Sequence, residues 1–352
     1  MGAVTVAVDA NGADLGPAEV AAGAAIAAAR GVRVVLYGPA EQIGAAPEGV
    51  EVVDAPVSIA KVPDPARAVR ATRRASIVQV AAAVAAGDAD AFVSGGSTGA
   101  ALAAGLFEVK RARGIYRPAL ATPVPIPGNP ITFLDVGANV EVRSEHLVQF
   151  AFMGAALAQT VLGVARPRVA LLSNGEEPTK GTAVVVEAHA MLAERTRGSA
   201  ALEFVGNIEG TDLTRGAADV VVTDGFTGNV SLKLLEGLSQ TLLGAVREAA
   251  LSSPRAKAGG LLLRPALRGL RDQIDPEGAG GAYLLGLRRL GVVPHGRFTR
   301  RGFSQAILLA ARGVSGDLAG RTHASLEAAG ALRRAPAGAG APSGSAASVP
   351  SP

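Results

Sequence analysis

Short β-branched runs alternate with alanine- and leucine-rich stretches from Val4 to about Leu309, and this alternation limits the possible folds most strongly. The short runs are typical of buried strands, and the longer stretches have the composition of helices. Strands that alternate with helices favour an α/β fold, a doubly wound parallel sheet between two helical layers. The predicted strands are residues 5–8, 32–36, 91–94, 131–135, 168–172, 202–205 and 220–223.

The chain has 352 residues, which is long enough for one large α/β domain, predicted here as residues 1–330. The proline-rich segment 117–130 cannot be helical, so it is predicted to be an extended edge or a connection between domains. Residues 331–352 are rich in alanine, glycine, serine and proline, which predicts a disordered tail.

The composition argues against several classes of protein. The absence of cysteine excludes disulfides and thiolate metal sites, and four histidines argue against a histidine-rich metal site. Aromatic residues make up 3% of the chain, too few for stacking on single-stranded nucleic acid. We find no apolar run of about 18 residues and no signal peptide, so we expect a cytoplasmic protein. The net charge of +4 favours acidic partners or anionic surfaces.

Five polar, glycine-containing loops follow predicted strands. In doubly wound sheets, ligands bind beyond the carboxyl ends of strands, and glycine lets backbone N–H groups approach a phosphate closely. A positive helix end after such a loop adds to the attraction for an anion. The sequence therefore predicts one crevice for an anionic ligand, formed by residues 9–14, 94–100, 135–139, 174–181 and 224–229.

Familiar nucleotide motifs do not fit these loops. No G-x-G-x-x-G opens the first βα unit, and Gly181 stands where a Walker loop needs serine or threonine after Lys180. Residues 95–99 do satisfy the G-x-S-x-G pattern of a nucleophilic serine. Ser97, Asp224 and His295 follow in the order found in α/β-hydrolases, so a serine esterase is one alternative.

Two basic segments are candidates for contact with a surface or partner. In residues 259–274, Leu263, Leu267 and Leu270 form an apolar stripe beside arginines, as in helices that lie on a membrane or pack against a dimer mate. Arg67, Arg70 and Arg74 share a predicted helical face. That face is either solvated or a receiving surface for an acidic carrier protein.

Several motifs together resemble the PlsX family of phosphate acyltransferases over about residues 3–312. The resemblance rests on V-D-A-N-G-A-D-L-G-P at 8–17, S-G-G-S-T-G-A at 94–100, L-D-V-G-A-N-V at 134–140, N-G-E-E-P-T-K-G at 174–181, G-N-I-E-G-T-D-L at 206–213, D-G-F-T-G-N-V at 224–230, G-G-A at 280–282, L-L-G at 284–286 and H-G at 295–296. The resemblance implies a three-layer fold like that of isocitrate and isopropylmalate dehydrogenases, with a helical hairpin at about 240–275.

The resemblance also implies a reaction and its partners. Inorganic phosphate attacks the thioester of a fatty acyl group on acyl carrier protein, without a cofactor or a metal. The acyl phosphate then serves a membrane glycerol-3-phosphate acyltransferase in phosphatidic acid synthesis. Members are homodimers, and the hairpin is expected to dock on the inner face of the cell membrane.

Departures from the family pattern leave a third alternative open. The first loop reads Asn11-Gly12-Ala13-Asp14 where the family has M-G-G-D, and Ser97 replaces an asparagine. Arg297 and Phe298 stand where small hydroxyl residues are usual, and they are expected to line the pocket. A non-catalytic scaffold of lipid synthesis on the membrane surface would also permit such changes.

The expected site follows from these motifs. Lys180 and the loop amides would hold phosphate, Asn139 or Asn229 would stabilise the oxyanion, and His295 would give a proton to the leaving thiolate. Asp224 completes the catalytic candidates. The predicted substrate-binding residues are Asp9, Asn11, Gly12, Ser97, Thr98, Gly99, Asp135, Gly137, Asn139, Asn174, Glu177, Gly181, Asn207, Gly225, Phe226 and Gly228.

Overall fold

A single sheet of eleven strands runs through the molecule. The computed structural model describes residues 3–333. The strands are β1 (Thr5–Asp9), β2 (Arg33–Gly38), β3 (Val50–Asp54), β4 (Ala91–Ser94), β5 (Ala119–Val124), β6 (Ile131–Leu134), β7 (Arg168–Leu172), β8 (Glu203–Ile208), β9 (Val220–Val222), β10 (Ala282–Leu285) and β11 (Leu290–Val293). All seven predicted strands are present, with ends shifted by up to three residues.

Helices cover both faces of this sheet. They are α1 (Pro17–Ala28), α2 (Ala40–Ile43), α3 (Pro65–Ala71), α4 (Ser76–Ala86), α5 (Thr98–Ala104), α6 (Ser144–Leu157), α7 (Ala183–Arg195), α8 (Gly225–Leu251), α9 (Pro254–Gln273), α10 (Pro276–Ala279), α11 (Arg300–Ser315) and α12 (Leu318–Ala328). Alternate residues of a strand face opposite layers. Val6 and Val8 therefore belong to the core under α1, α6, α7 and α11, whereas Ala7 belongs to the core under α4 and α5.

The sheet is mixed rather than parallel, and its strand direction reverses in the middle. The strand order is β3-β2-β1-β4-β11-β10-β5-β6-β9-β7-β8. Strand β10 is antiparallel to β11 and to β5, and β5 is antiparallel to β6. Strands β6, β9, β7 and β8 therefore run opposite to β1, β4 and β11. We call the carboxyl ends of β1, β4 and β11 the first edge of the sheet, and those of β6, β7, β8 and β9 the second edge.

The proline-rich segment was predicted to be extended and to lie at an edge or between domains; it is extended, but it does not lie at an edge of the sheet. It forms β5, which lies between β10 and β6 in the interior of the sheet. Proline is tolerated at Pro123 because β10 pairs only with Ala119–Ala121, so Pro123 has a neighbouring strand on one side only. Strands β3, β10 and β11 were also missed. Gly291 interrupts the β11 pattern, and the Phe92 ring fills the space over it.

Two long helices follow the last strand of the second edge. Helix α8 begins at Gly225, directly after β9, and α9 contacts it where Gly260 approaches Ala250. No residue of α9 is buried, and no helix within residues 3–333 is long and apolar enough to cross a membrane. Of the predicted tail, Ala331 is buried and accepts a hydrogen bond from Gln149; residues 334–352 lie outside the described part.

Candidate active site

Asp9 organises the loop that follows β1. Its side chain is 4% exposed and accepts hydrogen bonds from the hydroxyls of Ser76 (2.6 Å) and Ser94 (2.8 Å) and from the backbone N–H of Asn11 (3.1 Å). The Asn11 amide in turn donates to Ser76 and to the Ala55 carbonyl. Both predicted substrate ligands are thus engaged inside the protein, and they hold the loop in place.

This buried carboxyl predicts a pH dependence of stability. Burial raises the pKa of Asp9 from 3.8 to about 6, so the folded protein keeps a proton that the unfolded chain loses near pH 4. The free energy of unfolding should therefore fall as the pH rises from about 4 to about 6, by up to about 3 kcal/mol for this group. Urea unfolding of wild type and Asp9→Asn across this range measures the effect. Equal pH slopes for the two proteins would contradict it.

The loops at the first edge contact one another. A Cβ on Gly12 would lie 2.8 Å from the Gly96 Cα, so glycine is required for the close approach of these two loops. The Asp14 N–H donates to the Gly296 carbonyl (2.8 Å), which joins the turn after β11 to the first loop. Ser97 caps α5 through Ala100 N–H (3.4 Å), with Thr98 half-buried and Gly99 against Pro65.

His295 lies at this edge with mixed charges around it. Burial lowers its pKa, and the nearby Arg297 lowers it further, while Glu236 and Asp14 act in the opposite direction. The backbone N–H of Arg297 approaches Nδ1 at 3.5 Å, an arrangement that leaves the proton on Nε2. The Nε2–H is therefore available as a hydrogen-bond donor at the first edge.

Asp135 is the centre of the second edge. It is fully buried and accepts from the N–H groups of Leu120, Gly137, Ala138 and Asn139 and from the Asn139 side chain. Burial raises the pKa of Asp135, and these donors oppose that shift. Both Asn139 amide hydrogens are used, one on Asp135 and one on the Pro118 carbonyl, each at 2.7 Å. Asn139 therefore positions the loop and is not available as an oxyanion donor.

The start of α8 presses on this loop. A Cβ on Gly228 would overlap the Asp135 carbonyl oxygen, and one on Gly225 would lie 2.7 Å from the Asn139 carbonyl oxygen. The Asn229 side chain lies over Gly137 and makes no hydrogen bond to another residue of 3–333. It is half-buried, so its amide remains open to a ligand.

The first turn of α8 does not offer free N–H groups to an anion, contrary to our prediction. The Asp224 carboxylate caps the helix by accepting from the N–H groups of Phe226 (3.0 Å) and Thr227 (2.8 Å). Gly225 N–H donates to the Asn139 carbonyl, and Gly228 N–H to the Asp224 carbonyl. The segment predicted as a loop is therefore helix from Gly225 onward, with Phe226 exposed to solvent.

Lys180 lies in the exposed loop between β7 and α7. Its N–H and the Asn207 amide both donate to the Glu177 carbonyl (2.9 Å each), which fixes the loop. Asn174 and Gly181 are exposed in the same loop. Beneath it, the Asn207 Oδ1 and the Ser173 hydroxyl are buried without a partner within residues 3–333. Asn207 thus supports the loop through its side-chain nitrogen, and its Oδ1 is an acceptor without a partner in the described part of the chain.

The five loops do not form one crevice within the chain. Lys180 is at the second edge and leads into α7, whose Ala188 lies in the core on one face of the sheet. Helix α8 packs on the other face through Leu232 and Leu235 and runs from the second edge towards the first. About 16 Å along α8 from its start, Glu236 pairs with Arg297 (3.7 Å), next to His295. Helix α8 therefore connects Asn229 at the second edge to the His295 turn at the first edge, while Lys180 lies in the exposed loop after β7.

The esterase arrangement is not formed. Ser97 and Asp224 each cap their own helix, and within residues 3–333 no hydrogen bond joins either of them to His295. Phe298 is also not a pocket residue, because it is buried against Gly302 in the core.

Sequence reasoning missed several residues that support the site. Ser76 and Ser94 hold Asp9, and Glu236 holds the His295 turn to α8 by pairing with Arg297, which was predicted only to line the pocket. Ser94 is the first residue of the predicted loop 94–100, so its place at a strand end was the signal that could have identified its role. Ser76 and Glu236 are distant in sequence, and no spacing pattern links them to Asp9 or His295.

Comparison with known proteins identifies the family. A family model described as "Fatty acid synthesis protein" matches residues 4–321. The chain is 41% identical to the phosphate acyltransferase of Geobacillus thermodenitrificans over 92% of this chain and 99% of that protein. It is also 41% identical to that of Pelotomaculum thermopropionicum, over 92% and 95%.

Solved phosphotransacetylases share the fold. The Streptococcus pyogenes enzyme superimposes with a TM-score of 0.59 at 17% identity, covering 89% of this chain and 94% of that one. The EutD enzyme of Staphylococcus aureus gives a TM-score of 0.58 at 18% identity, with the same coverage. The chain thus belongs to the fatty acid synthesis protein family, the PlsX family that its loop motifs resemble.

Proposed function

We propose that the protein transfers a fatty acyl group from acyl carrier protein to inorganic phosphate and releases acyl phosphate. The match to phosphate acyltransferases along nearly the whole length of both chains carries this proposal. The test is to incubate the protein with an acyl carrier thioester, with and without phosphate, and to assay free carrier thiol and acyl phosphate. Thiol release that is independent of phosphate would contradict the proposal.

The proposed chemistry needs little acid or base help. An oxygen of phosphate attacks the thioester carbonyl carbon; the C–O bond forms as the C–S bond breaks, and the electron pair leaves on sulfur. A thiol has a pKa of about 8.5, so a hydrogen bond to the leaving sulfur is enough to assist its departure, and the released thiolate takes its proton from solvent. The protein must mainly orient phosphate, exclude water and stabilise the developing oxyanion.

Two side chains suit these tasks on the face crossed by α8. The open amide of Asn229 is the proposed donor to the oxyanion, because it lies over Gly137 at the start of α8. His295 is the proposed hydrogen-bond donor to the leaving sulfur, since the Arg297 N–H approaches Nδ1 and leaves the proton on Nε2. The exposed Phe226 is available for the acyl chain.

Lys180 is proposed to act across a dimer interface. Its loop is exposed at the second edge of the sheet, whereas His295 lies at the first edge of the same chain. In a homodimer with twofold symmetry, Lys180 of the partner subunit would complete each site and hold the phosphate. This arrangement accounts for an exposed lysine in a loop whose backbone is fixed by Asn207.

We also propose that α8 and α9 dock on the inner face of the cell membrane. Leu262 is 83% exposed and Leu263 is 58% exposed on α9, while Leu267 is half-buried. Three arginines, Arg264, Arg268 and Arg271, lie on the same helix and suit anionic headgroups. Such docking would bring acyl phosphate to a membrane glycerol-3-phosphate acyltransferase. We further propose that the fold is like that of isocitrate and isopropylmalate dehydrogenases, with α8 and α9 as its helical insertion.

Membrane docking is tested with a charge on the exposed leucines. Leu262→Glu should lower flotation with anionic vesicles by on the order of tenfold, because the carboxylate opposes both the apolar contact and the headgroup charge. Leu15→Glu, at a leucine that is 56% exposed and follows the first loop, is the control and should float like wild type. Unchanged flotation of Leu262→Glu would contradict docking through α9.

A further inference from the structure

A groove of about 500 Å³ lies between α3 and the π-helical segment Gly105–Val109 that extends α5. Val69 is buried at its base, and Phe107 is half-buried in its wall. The groove is lined by Val69, Arg70, Arg73, Phe107, Glu108 and Lys110. Three of these six side chains are exposed cations, so the groove combines an apolar base with a basic rim.

The two arginines of this rim are held in place by the chain itself. The Arg70 guanidinium stacks 4.4 Å above the centre of the Phe107 ring. Arg73 pairs with Glu108, and its side chain is 70% exposed against 16% for the glutamate. A carboxylate of the chain thus already occupies one face of Arg73 while the rest of the guanidinium faces solvent. Helix α3 otherwise carries no acidic residue over Pro65–Ala71.

The groove is connected to the first edge of the sheet by two helices that begin together. Pro65 at the start of α3 contacts Gly99 at the start of α5, where a Cβ would lie 3.1 Å from its Cγ. From Thr98 to Phe107 the helical rise is about 14 Å. The groove therefore opens about 14 Å from the Ser97 loop, a distance that suits a carrier which delivers its acyl group on an extended arm.

We propose that this groove receives an acidic helix of the acyl carrier protein, whose carboxylates replace Glu108 on Arg73 and bind Lys110. This inference rests on the proposed function. The positive charge of the rim favours an acidic partner. Val69 at the base and Phe107 in the wall form an apolar surface for a side chain of the same helix. Glu108 then pairs with Arg73 only in the free enzyme, so replacing Glu108 should favour binding of the carrier protein.

Opposite effects of two substitutions test this groove. Arg73→Glu should raise the KM for acyl carrier protein by on the order of tenfold, because it places two carboxylates where the partner's carboxylate binds. Glu108→Gln should lower that KM about two- to threefold, because it frees Arg73 from an ion pair that is itself weak. Arg30→Glu, an exposed arginine beyond α1 on the other face of the sheet, is the control and should keep the wild-type KM.

A small acyl pantetheine thioester separates this inference from the proposed function. Wild type and Arg73→Glu should turn over the small donor equally, since it does not use the groove. Inactivity of wild type with both donors would overturn the proposed function. An active wild type with an unchanged carrier KM in Arg73→Glu and Glu108→Gln would overturn the groove alone. Loss of anionic vesicle binding in Arg73→Glu, with the carrier KM unchanged, would overturn it in favour of a lipid contact.

Discussion

Mixed dimers of Lys180→Ala and His295→Ala subunits are expected to recover activity that neither variant has alone. Each single variant should lose about 100-fold or more in kcat, since one lacks the proposed phosphate ligand and the other the proposed hydrogen-bond donor to the leaving sulfur. In a random mixture, half of the dimers contain one subunit of each kind. Each such dimer has one complete site, so the mixture should regain about a quarter of the wild-type activity.

The same mixture also distinguishes the two possible arrangements of the site. If Lys180 and His295 served the same chain's site, every site of a mixed dimer would lack one of them and no activity would return. Mixing each variant with itself under identical unfolding and refolding conditions is the control. The prediction rests on Lys180 lying at the second edge of the sheet and His295 at the first edge.

Gly228→Ala is expected to disrupt the site through packing rather than chemistry. An added Cβ would overlap the Asp135 carbonyl oxygen, a backbone atom that cannot move without breaking the hydrogen bonds around Asp135. The free energy of unfolding should fall by about 3 kcal/mol, and activity should be lost because α8 and Asn229 move away from Gly137. Urea denaturation and the phosphate-dependent assay measure the two effects.

Gly237→Ala on the same helix is the matched control. A Cβ at Gly237 meets no atom within 4 Å, so only helix propensity changes. The substitution should stabilise α8 by about 0.5–1 kcal/mol and leave kcat unaltered. Equal unfolding midpoints for Gly228→Ala and Gly237→Ala would contradict the tight contact between α8 and the Asp135 loop.

Local sequence patterns predicted seven of the eleven strands of residues 3–333 because a buried strand has a local pattern of β-branched residues. The β-branched run before Asp224 is β9, and the run before Ser94 is β4, as expected from their composition. Glycine is required at Gly12 and Gly228 because each lies where the backbones of two segments approach closely. The family motifs predicted the function, because they match residue identities at many positions at once.

Strand direction was not predictable in the same way. A strand has the same pattern whichever way it runs, so nothing in the sequence indicated that β6, β7 and β9 oppose β1 and β4. That reversal places Lys180 and His295 at different edges. Similarly, the sequence did not show that the Asp224 side chain caps α8, because the sequence pattern is the same for an aspartate that caps a helix and one that lies in a loop.

The most direct test of the proposed acyl transfer follows the oxygen atoms of phosphate. The protein is incubated with acyl carrier thioester and phosphate labelled with oxygen-18 at all four positions, and the products are analysed by mass spectrometry. Attack by phosphate on the thioester predicts acyl phosphate that retains all four labelled oxygens, formed in equal amount to free carrier. Unlabelled fatty acid as the first product, released at the same rate without phosphate, would contradict the account.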